Sequence, residues 1–63
     1  MIPDLETMTS DIVKWIGRSD VFEIWFEPDS QSYNVRVWSN VFHDYNLEKC
    51  ISKAWAYVDK YRE

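Results

Sequence analysis

The sequence predicts a small α+β domain, an antiparallel β-hairpin with two helices packed on one face, in the order α-β-β-α. Three observations carry this. Two alternating runs flank a polar turn between Asp20 and Ser39. Apolar residues recur at a spacing of three to four from Leu5 to Ile16, and again from Leu47 to Tyr61, the period of an amphipathic helix. With 63 residues the chain forms a single small domain, residues 1–63.

After a short lead, Met1 to Pro3, Asp4 is placed to cap the first helix, with Glu6 favourable in its first turn. Leu5, Met8, Ile12 and Ile16 form its stripe, flanked by Val13 and Trp15. Gly17, the only glycine, stands where a left-handed residue ends a helix. Ser19-Asp20 links to a first strand over Val21 to Glu27, which Pro28 stops because it has no N–H for the ladder.

The second strand runs from Ser32 to Trp38, and the side chains fix its register. Facing Glu27 with Ser32 across the loop Pro28-Asp29-Ser30-Gln31 sets Phe26 against Tyr33, Ile24 against Val35 and Phe22 against Val37, a wholly apolar face expected to be the core. The other face pairs Trp25 with Asn34, Glu23 with Arg36 and Val21 with Trp38. A slip of one residue would put Ile24 against Arg36. Ser39 to Tyr45 reads as a connection; if Val41-Phe42 forms a third strand, the order becomes α-β-β-β-α. Asn46 or Asp44 caps the last helix, with Glu48 in its first turn and Arg62 in its last. Leu47, Cys50, Ile51, Ala54, Val58 and Tyr61 are its stripe; Lys49, Lys53 and Lys60 lie on the opposite face.

So short a chain is marginal in stability unless a disulfide, a metal or association helps. A single cysteine excludes an internal disulfide, and eleven aromatic residues point to dense packing instead. The net charge is −4, with two bases against seven acids up to Gln31 and five against four from Ser32. That balance opposes general nucleic-acid affinity, which needs phosphate neutralisation. No apolar run approaches a membrane span, and the N-terminus lacks the basic start and apolar core of a signal peptide, so a cytoplasmic protein with no membrane partner is expected.

Candidate chemistry is sparse. His43-Asp44 pairs an imidazole with a carboxylate, and Cys50 with His43 makes a nucleophile and base on paper. Cys50 sits within the apolar stripe, however, which favours packing. Glu23 and Glu27 share a strand face at a separation of about 13 Å, too far for a paired-acid site. One glycine rules out a phosphate loop. The reading is therefore no enzyme, no cofactor and no metal.

The feature left over is the second hairpin face. Val21, Glu23, Trp25, Arg36 and Trp38 form an aromatic patch of the kind that anchors protein partners, with Trp25 close enough to stack on Arg36. The sequence thus predicts a small interaction module, a regulator or inhibitor of the size common in viruses and mobile elements, binding an unidentified protein. A homodimer is expected, because a two-stranded ribbon has open edges and is narrow cover for two helices. The alternative is nucleic-acid binding by the Trp and Arg of the hairpin with Lys49, Lys53 and Lys60. An α-β-β-β-α order also occurs in double-stranded-RNA-binding domains, but their lysine-rich start of the last helix has no match in Asn46-Leu47-Glu48-Lys49.

Overall fold

The computed structural model describes residues 3–18 and 20–61. The readings that involve Met1, Ile2, Ser19 and Arg62 lie outside the described residues. The order is α1 (Leu5–Ile16), β1 (Phe22–Glu27), β2 (Ser32–Val37), β3 (Asn40–Asp44) and α2 (Leu47–Tyr61), so the connection after β2 is a third strand. The sheet is antiparallel in the order β1-β2-β3.

Local chemistry explains each boundary. Asp4 caps α1, its Oδ1 accepting from the Thr7 N–H at 2.8 Å. Gly17 closes that helix at φ 68 and donates its N–H to the Val13 carbonyl. Nothing lies within 4 Å of where its Cβ would be, so the left-handed backbone, not space, is what asks for glycine. Asn46 caps α2 through the Lys49 N–H, and Asp44 in turn accepts from the Asn46 N–H, both at 3.0 Å. Of the two residues offered as caps, Asn46 is the cap, and Asp44 instead braces the turn before it.

The β1–β2 register is the one set by the side chains, from Phe22↔Val37 to Glu27↔Ser32 across the loop Pro28–Gln31. Gln31 turns that loop at φ 53. β2 ends one residue sooner than expected: Trp38, at φ 55, is the first residue of a two-residue turn into β3.

The core lies between the sheet and the helices. It comprises Met8 and Ile12 of α1, Val35 and Val37 of β2, and Cys50, Ile51, Ala54 and Val58 of α2, all essentially inaccessible. α2 lies over β2 and β3, with Lys53 bonded to Asp44 and Tyr57 against Phe42 on its β3 side. Its other flank meets α1: Trp55 packs on Trp15 and donates from Nε1 to Asp11 at 3.2 Å. α1 is thereby held against α2, and its Leu5, Thr9 and Val13, on the flank away from Asp11 and Trp15, lie on an open surface bordered by Glu6, Ser10 and Lys14.

This placement corrects one expectation. The inner face of β1 was to be core, but only Phe22 packs against the buried cluster. Ile24 is 44% exposed and Phe26 50%, with Phe26 resting edge-on against Tyr33. The physical reason is lateral: once β3 forms, β2 is the central strand and takes the cover of α2, while β1 becomes an edge.

Candidate functional site

The candidate site is the sheet face turned away from the helices. Strand alternation places Glu23 and Trp25 of β1, Asn34 and Arg36 of β2, and Val41 and His43 of β3 on it, in the cross-strand rows Glu23–Arg36–Val41 and Trp25–Asn34–His43. No helix packs on this side. Trp25 is 37% exposed and Val41 51%, and the Trp25 side chain has no hydrogen-bond or ring partner among the described residues.

Arg36 is the fixed point of the face. Its Nη2 donates to Glu23 Oε1 at 2.9 Å and reaches the Asp20 carbonyl at 3.5 Å, while Nη1 donates to the Trp38 carbonyl. The guanidinium thus ties the start of β1 to the β2–β3 turn. The Arg36 hydrogen bond, with its charge, holds the Glu23 carboxyl below the usual range, and the same bond raises Arg36. The stacking of Trp25 on Arg36 expected from sequence is replaced by these bonds.

Of the five residues read as a partner surface, Glu23, Trp25 and Arg36 come together on this face. Val21 is half-buried at its margin, its carbonyl accepting from the Trp38 N–H at 2.9 Å. Trp38 is the correction. Its left-handed backbone turns the ring toward the helices, where it packs edge-on against Tyr57 at 6.1 Å. Tyr57 also contacts Phe42 and Tyr61 and accepts from Asn40 Nδ2 at 2.6 Å, so Trp38 belongs to an aromatic cluster on the far side of the sheet. The pairing of Trp25 with Asn34 was read from the sequence and holds; Val41 and His43 on the same face were not, and the signal for them was the alternation of Asn40 to Asp44 about a two-residue turn.

The lysine set divides. Lys53 donates to the His43 carbonyl at 3.0 Å and pairs with Asp44 at 3.2 Å. The Asn46 N–H and then Lys53 hold the Asp44 carboxyl below its usual range. Lys49 and Lys60 are exposed on α2, and Lys53 is directed toward the strand edge and away from a common lysine plane.

Neither candidate catalytic pair is assembled. Alternation sends the His43 side chain to the outer face while Asp44 meets Lys53, and Cys50 is buried on the inner side. The Cys50 thiol donates to the Phe42 and Tyr33 carbonyls at 3.2 and 3.4 Å, and burial pushes it up, away from the reactive thiolate. Among the described residues no group of three His, Cys, Asp or Glu is arranged to hold a metal ion, and no helix is long and apolar enough to cross a membrane. No protein family, curated protein or solved structure gives a significant match to this chain.

Proposed function

We propose that the protein is a non-catalytic interaction module that docks a partner protein on the outer sheet face and acts as a homodimer, in the manner of a small regulator or inhibitor. One observation carries this reading: Trp25 stands exposed on a bare sheet face, in the row next to the Glu23–Arg36 clasp that ties β1 to β2. A large aromatic ring on a preorganised strand offers contact area at little entropic cost, which is why Trp and Arg dominate interface energetics. The acidic balance steers the complex toward a basic partner. The test is affinity capture from the host of the protein with the parent chain and Trp25→Ala side by side. A partner retained by the parent and lost by the variant, with unchanged far-ultraviolet dichroism, is the expected result. A partner held equally by both refutes the role of this face. Single-stranded RNA or DNA titrated at low salt leaves the tryptophan fluorescence unchanged on this reading; quenching would transfer the face to nucleic acid.

A further inference from the structure

The two edges of the sheet are not equivalent. The Trp38 N–H bonds to the Val21 carbonyl, so Val21, Glu23, Trp25 and Glu27 turn their backbone groups toward β2. Phe22, Ile24 and Phe26 then aim their N–H and C=O groups outward, along an edge that no described segment pairs. On β3 the same alternation puts Val41 and His43 outward, and there Lys53 occupies the His43 carbonyl. A lysine on an edge is a common guard against pairing. β1 carries no such guard, and its central residues, Ile24, Trp25 and Phe26, are exposed on both faces.

We infer that β1 pairs antiparallel with β1 of a second copy across a two-fold axis at Ile24, joining two sheets into one. This rests on the homodimer of the proposed function and specifies its interface. Side chains and backbone select the register. With Ile24 opposite Ile24, Phe22 faces Phe26 of the second copy, so all three outward-aimed residues exchange hydrogen bonds. Glu23 then faces Trp25 and Glu27 faces Val21, and no carboxylate meets another. Moving the axis to Trp25 sets Glu23 against Glu27 twice and Phe22 against Pro28, which has no N–H to give. Moving it to Glu23 sets that carboxylate against itself. Only the Ile24 register satisfies the whole edge. On the inner side Phe22, Ile24 and Phe26 of both copies form one apolar row. On the outer side the two Trp25 faces become one continuous docking surface.

The experiment is mass in solution combined with site-directed crosslinking. Sedimentation equilibrium should give about 15 kDa, twice the 7.7 kDa of the chain. Residues in a hydrogen-bonded antiparallel pair have Cα atoms about 5.5 Å apart, within disulfide reach. Ile24→Cys should therefore crosslink to itself under mild oxidation, and Trp25→Cys should lag at least tenfold behind. The buried Cys50 of the parent chain is the control. Ile24→Arg should sediment as one chain with unchanged dichroism. A monomeric parent overturns the inference, and faster crosslinking of Trp25→Cys overturns the register. Trp25→Ala should lose the partner and keep the dimer. A parent chain that is monomeric yet binds its partner through Trp25 would refute the homodimer and its β1 interface and leave the docking face standing, whereas a dimer that keeps its partner in Trp25→Ala would refute the docking face alone.

Discussion

β1 and β2 are neighbours in one hairpin, yet they live in different environments. β1, Phe-Glu-Ile-Trp-Phe-Glu, has the more apolar sequence, but its central residues are exposed. β2, Ser-Tyr-Asn-Val-Arg-Val, has fewer large apolar residues, yet Ser32, Val35 and Val37 are buried. Ile24 and Val35 face each other across the ladder at 44% and 0% exposure. The difference is one of lateral position. β2 is paired on both edges and lies under α2; β1 is paired on one edge, while α1 packs on α2. Hydrophobicity states what a residue gains from burial, while the packing order decides which residue receives it. Surplus apolar character on an edge is then surface for association.

Breaking the α1–α2 contact should do the most damage. Trp55→Ala removes the ring against Trp15 and the hydrogen bond to Asp11, and should cost about 3 kcal/mol in urea unfolding. The strand comparison is tested directly by Val35→Ala and Ile24→Ala. The first should cost about 2 kcal/mol, from lost methyl burial and a cavity in the core. The second should cost under about 1 kcal/mol in dilute solution, where association adds nothing. Equal costs would mean that β1 is covered as well as β2. Asn46→Ala removes the cap on which α2 starts and should cost about 1 kcal/mol, seen as a lower melting temperature.

Smaller effects follow from the charged groups. The Asp4, Asp20, Glu23 and Asp44 carboxyls are all held below their usual range, by the Thr7 side chain and then its N–H, by Arg18, by Arg36 and by the Asn46 N–H respectively. A carboxyl depressed by folding stabilises the fold while ionised, so this stability is present above the unfolded range and lost as the pH falls through the folded value. Unfolding midpoints should therefore be flat near neutrality and decline below about pH 4. Lys53→Ala should barely move the midpoint, yet it removes the guard from β3 and should increase association at high concentration. An unchanged mass would mean that Lys53 does not set the difference between the edges.

Most of the local architecture was legible in the sequence because it depends on neighbours. Asp4, Gly17 and Asn46 act on backbone groups within a few residues, and the Glu27↔Ser32 register follows from matching two short runs across one loop. Cys50 as a packed thiol followed from its place in the apolar stripe. The outer face was legible in part: Glu23, Trp25 and Arg36 are on it by alternation alone. Trp38 was not, because a left-handed residue at a turn escapes the alternation of its strand, and nothing in its own side chain says so. Val41 and His43 were missed because five residues of alternation are weak evidence against a loop.

The sequence by itself determined the two helices, their caps, the hairpin and its register, since each rests on hydrogen bonds and side-chain periods that span a few residues. Only the tertiary structure decided which strand is central. Pairing Asn40–Asp44 to β2 and laying α2 over both are long-range choices, and they turned an apolar face read as core into an edge with Ile24 and Phe26 in solvent.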